Sequence, residues 1–136
     1  MPLVPACSAV VCLAFEDEQG VAFGARVLDG IRDGGALVPS IWWYELRNAL
    51  VVNERRGRIE PAQSDAFLQL VTRLRITVEP PPQPSSVMTL ARDHRLSVYD
   101  AAYVELALRE SLPLATLDGK LSQAAARLGV DCLTPD

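Results

Sequence analysis

The stretch ALVPSIWWYELRNALVVNER, Ala36 to Arg55, decides how this chain folds. Its first four residues are an apolar run too short for a helix and stopped by Pro39, as a buried strand would be. Ser40 then stands where a helix N-cap belongs, and helical spacing continues from Ile41 to about Arg56, with Gly57 as the stop. A short apolar strand running straight into a helix is the unit from which parallel sheets are built.

The same unit recurs on either side. LVPA leads to Ser8, placed to cap a short helix in SAVVCLAFEDE. Val21, Phe23, Val27, Leu28 and Ile31 repeat at helical spacing up to Asp33-Gly34-Gly35, a C-cap and turn. After Gly57 a helix is expected over Ser64 to Arg73, preceded by Pro61, then the strand ITVEP and the rigid break PPPQP. Ser85 or Ser86 opens a helix to about His94, and SVYDAAYVELAL, Ser97 to Leu108, reads as an apolar helix opened by Asp100. LPLAT is a strand, Asp118 to Leu128 a helix, and VDCL a last strand. The strands lack polar–apolar alternation, so both faces of the sheet should be covered. The expected architecture is a single-domain α/β/α sandwich with a short parallel central sheet, spanning residues 1–136. In such sheets ligands bind beyond the carboxyl ends of the strands.

Composition narrows the function. With 136 residues, 49% of them hydrophobic, the chain has the size of one domain with one core. Its net charge of −4 means that a nucleic-acid partner must be met by a local basic patch. Lys120 is the sole lysine among 13 cations, an arginine bias that suits phosphate and carboxylate partners and equally suits genomic composition. The three cysteines, Cys7, Cys12 and Cys132, have neither zinc-site spacing nor an even count, which fits reduced thiols in a cytoplasmic protein. The uncharged run from Leu3 to Phe15 lacks a basic segment before it and meets Glu16, Asp17 and Glu18 at once, so it reads as structure and not as a signal peptide. It is also too short to cross a bilayer. His94, the one histidine, lies among Arg92, Asp93 and Arg95, and with it alone there is no obvious Ser-His-Asp or Cys-His site.

The acids at strand ends carry the remaining interest. Asp118 follows a strand and starts a helix, and Asp100 starts another; each is either an N-cap or part of a site. Glu45 falls on an apolar stripe with Ile41, Trp42 and Ala49, and Asn48 continues it. A glutamate there is either a rim residue reaching water or one that needs a partner.

ELRNAL, YDAAYVELAL and LATLDGKL, in this order and at domain-sized gaps, resemble the PIN-domain ribonucleases, in particular the VapC-type toxins of bacterial toxin–antitoxin pairs. The likeness extends from the first strand to the last. It implies that Glu45, Asp100 and Asp118 are catalytic and bind Mg²⁺ or Mn²⁺, with Ser8, Asn48 and Thr116 in support. The family's first motif is a strand ending in an aspartate, followed by a small residue, Ser or Thr, and a helix. Ser8 and FEDE fit that pattern, but Ala6 holds the acid's position. The carboxylate wall then has three members where the family has four, and the chain should bind metal weakly and cleave RNA slowly or not at all. A natural degenerate copy and a deliberate Asp→Ala change both leave such a pattern; the intact remaining motifs favour the second.

Arg47 and Lys120 are close in sequence to the acids and are candidates for holding RNA phosphates, as are Arg55 and Arg56; each also fits a solvated surface charge. Trp42, Trp43 and Tyr44 fan over about 200° of a helix, so they cannot all face one core. Either two are core residues or one lies in a groove that receives a partner. The resemblance implies a cognate antitoxin, RNA as substrate, and a homodimer or toxin–antitoxin hetero-oligomer. Two rival readings remain: a non-catalytic PIN-like module that binds RNA or antitoxin, and a phosphoacceptor receiver, which the missing first acid and the position of Lys120 disfavour.

Overall fold

The structure is a computed structural model, and it describes residues 1–15 and 18–135. Glu16 and Asp17 of the FEDE stretch lie outside the described residues. The elements run β1 (Val4–Pro5), α1 (Cys7–Val11) with a 3-10 turn over Cys12–Ala14, α2 (Glu18–Gly34), β2 (Ala36–Pro39), α3 (Ile41–Arg55) and α4 (Pro61–Thr72). They continue through β3 (Ile76–Glu79), α5 (Pro84–His94), α6 (Val98–Glu110), β4 (Leu114–Ala115), α7 (Gly119–Arg127) and β5 (Cys132–Leu133).

Every strand pairing is parallel. β1 pairs with β4 (Val4 opposite Leu114), β4 with β5 (Leu114 opposite Cys132), and β2 with β3 (Ala36 opposite Ile76). A parallel bridge between Leu3 and Ala36 joins the two groups, with Leu3 N–H donating to Gly35 at 3.2 Å and Leu37 N–H donating to Leu3 at 3.0 Å. The strand order is therefore β3-β2-β1-β4-β5, a single α/β domain built on a short parallel sheet. Successive strand residues point to opposite faces. Val4 and Pro5 are both buried, as are Leu114 and Ala115, so the centre of the sheet is covered on both sides as expected. Phe23, Val27 and Ile31 of α2, Leu46 and Leu50 of α3, and Val104 and Leu106 of α6 fill the core.

Several helix starts differ from the sequence reading. Ser8 does not cap α1: Ala6 occupies the cap position, and the Ser8 hydroxyl accepts the Leu117 N–H at 3.1 Å. Ser40 precedes α3 in helical geometry and makes no side-chain cap bond. α4 starts at Pro61 instead of Ser64, because Glu60 and Gln63 form a reciprocal capping box and proline suits the first helical position. α5 likewise starts at Pro84, ahead of the serines. α6 is capped by Ser97, whose hydroxyl accepts the Asp100 N–H at 3.0 Å, so Asp100 sits inside the first turn. Gly35 closes α2 as expected, at φ +82°, where a side chain would be strained.

Candidate active site

The strand order sets where a site can form. The chain leaves β1 toward β2 and β3 on one side, then returns to build β4 and β5 on the other. The carboxyl ends of β1 and β4 therefore flank a topological switch point, where parallel sheets open a crevice. Ala6 follows β1 and Thr116 follows β4 at this place. Ala6 is 5% exposed, and its N–H donates to the Ala115 carbonyl at 2.8 Å. Ser8 ties α1 across the crevice to Leu117. Thr116, fully buried, accepts the Asp118 N–H on its hydroxyl at 3.0 Å. Both residues thus hold the loop that carries Asp118.

The three acids arrive from three elements. Asp118 caps α7: its Oδ1 accepts the N–H groups of Lys120 at 2.9 Å and Leu121 at 3.3 Å. Glu45 comes from the second turn of α3 and accepts the Tyr103 hydroxyl on Oε1 at 2.6 Å. Tyr103 is 1% exposed. Its oxygen also takes a hydrogen bond from the Cys7 backbone, so one phenol joins α1, α3 and α6 next to Ala6. Burial and the bond to Glu45 hold this phenol far above its ordinary pKa, so it stays a donor. The neighbouring Cys7 thiol is pushed up to about 12, first by burial and then by the charge of Glu45, which leaves no thiolate to act as a nucleophile.

Mutual repulsion links the acids into a row. Burial raises the Glu45 carboxyl, and the charge of Asp100 raises it further against the opposing bond from Tyr103. Burial also raises Asp100; the charge of Asp118 adds to this, while the Ser97 hydroxyl and Lys120 oppose it. Asp100 is therefore the middle member of this coupled row, acting on Glu45 and acted on by Asp118, and the charge of Lys120 offsets part of its repulsion. Charge coupling is effective over several ångströms, whereas a hard cation binds its oxygens at 2.0–2.6 Å. Among the described residues no three acids, cysteines or histidines come close enough together to hold a metal ion.

The other candidate residues separate. Asn48 lines a cavity with Glu45 and two tyrosines. Arg47 is engaged on its own helix: it donates to the Trp43 carbonyl at 3.1 Å and lies 3.6 Å over the Trp43 ring. Arg55 and Arg56 are exposed at the far end of α3, about 15 Å along the axis from Glu45 at 1.5 Å per residue, so they are not beside the acids. Trp42 is 3% exposed and belongs to the core, which removes it as a partner-binding residue; Trp43 and Tyr44 remain exposed. Tyr103 is not among the candidate residues named from the sequence. Its signal was present in YDAAY, where it follows Asp100 by three residues and so shares a helix face with it.

The PIN domain family model matches residues 8–127. Among solved structures, PAE2754 from Pyrobaculum aerophilum is similar, with 25% identity and a TM-score of 0.74, covering 97% of this chain and 90% of that one. FitAcB from Neisseria gonorrhoeae shares the fold at 17% identity and a TM-score of 0.63, covering 96% of each chain. No curated protein matches the chain in sequence. With a family match over most of its length and the same fold in these two structures, the chain belongs to the PIN-domain family.

Proposed function

We propose that this chain is a ribonuclease toxin of the VapC kind, with Glu45, Asp100 and Asp118 as its hydrolytic centre, impaired because Ala6 replaces a fourth acid. PIN domains are in general metal-dependent nucleases, so the nuclease class follows from the family; the toxin role, the RNA substrate and the impairment are this proposal. One observation carries it. Asp100 of α6 couples electrically to Glu45 of α3 and to Asp118 before α7, and Tyr103, which bonds Glu45, also takes a bond from the Cys7 backbone next to Ala6.

Carboxylate oxygens are the donor type that Mg²⁺ and Mn²⁺ require. The set present does not close around one ion. Glu45 Oε1 is held by Tyr103, Asp118 Oδ1 is spent on the α7 N-terminus, and among the described residues no three such donors are gathered. An aspartate at position 6 would add a carboxylate from the end of β1, a fourth element. The chain's own residues supply the rest: Thr116 and Ser8 fix the Asp118 loop, Tyr103 orients Glu45, and Lys120 offsets the charge of Asp100.

The Ala6→Asp variant tests the reading. With Mn²⁺ and single-stranded RNA it should cleave at least ~10²-fold faster than the parent, the scale on which a misplaced reacting group costs rate. It should also bind Mn²⁺ more tightly in calorimetry. An unchanged rate together with unchanged Mn²⁺ binding refutes the proposal. The second reading, a PIN-like module that binds RNA or an antitoxin without cutting, is favoured by the incomplete ligand set and holds for the chain as written even if Ala6→Asp restores cleavage. A cognate antitoxin and a homodimer or toxin–antitoxin hetero-oligomer are proposed from kinship alone. A small reading frame for a DNA-binding protein directly upstream would support the antitoxin.

A further inference from the structure

Two tyrosines beside the acid row stand in water without cover. Tyr44 on α3 is 66% exposed and Tyr99 on α6 is 58% exposed. With Ile41, Glu45 and Asn48 they line an open cavity of about 330 Å³. Glu45 belongs to both the cavity and the acid row, and Tyr99 immediately precedes Asp100. Whatever occupies the cavity therefore touches the candidate catalytic centre.

We propose that Tyr44 and Tyr99 form a stacking site for one unpaired nucleobase of a single-stranded RNA whose backbone passes the acid row. The inference rests on the RNA-directed reading above and adds the element that holds the substrate. Its first support is the way the Tyr44 ring is braced. Arg47 covers the Trp43 ring at 3.6 Å, and Trp43 meets Tyr44 in a T-shaped contact with centroids 5.1 Å apart and planes at 70°. Trp43 is thus occupied, while Tyr44 is held by it and still largely exposed. A ring fixed in advance loses little freedom on binding.

The second support is chemical selection. Glu45 at the cavity wall repels a phosphate but tolerates a neutral planar ring. The Asn48 amide offers a donor and an acceptor, which match the hydrogen-bonding edge of a base. Stacking needs only a π-face, so the site accepts different bases and grips the strand without reading sequence. Such a site also gives an anionic chain, whose Arg47 is engaged elsewhere, a hold on RNA that needs no basic patch.

The parent chain, which retains Ala6, can be titrated against a fluorescent single-stranded RNA of roughly ten nucleotides, within the usual site size of such grooves. Tyr44→Ala and Tyr99→Ala should each weaken binding about tenfold, while Tyr44→Phe and Tyr99→Phe should bind like the parent. Moving a single abasic site along the RNA should find one position that weakens parent binding equally and makes the alanine variants no worse. Both tyrosines are exposed, so circular dichroism and melting should match the parent. Parent-like RNA binding by both alanine variants overturns the stacking site. If sedimentation then shows a parent dimer reduced to monomer in those variants, the face is an interface between copies. RNA cleavage by Ala6→Asp alongside tyrosine variants that bind normally removes only the stacking site. A parent and an Ala6→Asp chain that both fail to bind RNA remove the RNA reading as well.

Discussion

Asp100 and Asp118 occupy matching positions in the sequence, each at the mouth of a helix near the carboxyl edge of one sheet, yet the fold uses them differently. At α7 the carboxylate is the cap: Asp118 satisfies two backbone N–H groups, and its charge complements the positive end of the helix. At α6 a serine does that work. Ser97 accepts the Asp100 N–H, and the Asp100 carboxylate is left half-buried, raised by the charge of Asp118 and itself raising Glu45. An acid that caps a helix supports the fold whether or not it has another role. An acid relieved of capping and placed near like charge does not support the fold in the same way, and the Ser97 hydroxyl and Lys120 offset part of its repulsion.

The comparison can be broken most directly by activity. In an Ala6→Asp background, Asp100→Asn and Asp118→Asn should each abolish the gained cleavage, a loss of at least ~10²-fold measured on single-stranded RNA. Activity surviving either change would separate that residue from the site. Tyr103→Phe comes next in size. It removes a 2.6 Å bond to a charged partner and strands the Cys7 N–H, so it should lower stability by about 2 kcal/mol in urea unfolding. Loss of the α7 cap in Asp118→Ala should cost about 1 kcal/mol, whereas Asp100→Ala should cost nothing or stabilise the fold. Equal losses in those two variants would erase the distinction between the helix mouths.

Acid titration gives the smallest effect and the sharpest test of sign. Glu45 and Asp100 are both raised in the folded chain above their ordinary values of 4.5 and 3.8. A raised carboxyl binds more protons folded than unfolded, so its favourable contribution is full below those values and disappears as pH rises through the folded pKa. Stability should therefore fall from about pH 4 upward on account of this pair, and Asp100→Asn should flatten the fall. A steeper slope in the variant would show that Asp100 is not under repulsion.

Legibility followed the range of the interaction. The strand–helix alternation was readable because apolar runs, Gly35, Gly57 and the proline break act on their own neighbours. The order of strands was not, since the Leu3–Ala36 bridge that joins the two halves of the sheet leaves no local mark. Helix starts failed where two capping signals competed. Pro61 and Pro84 outranked the serines after them, and Ser97 outranked Asp100, although the pattern of Ser97 three residues before an acid could have shown it. Of the aromatic triplet, Trp42 went to the core and the other two to the surface, because a helix turns each successive residue by about 100°.

By itself, the order of residues determined a parallel α/β domain, acids placed after strands and at helix starts, and an alanine directly after the first strand. Tertiary structure alone decided that the charge of Asp100 couples to both Glu45 and Asp118, that Tyr103 binds Glu45, and that Tyr44 and Tyr99 are left uncovered beside Glu45. Backbone preferences and caps are set within a turn or two of chain, so composition and spacing reveal them. Meetings between residues 58 positions apart, as with Glu45 and Tyr103, depend on how every intervening element packs.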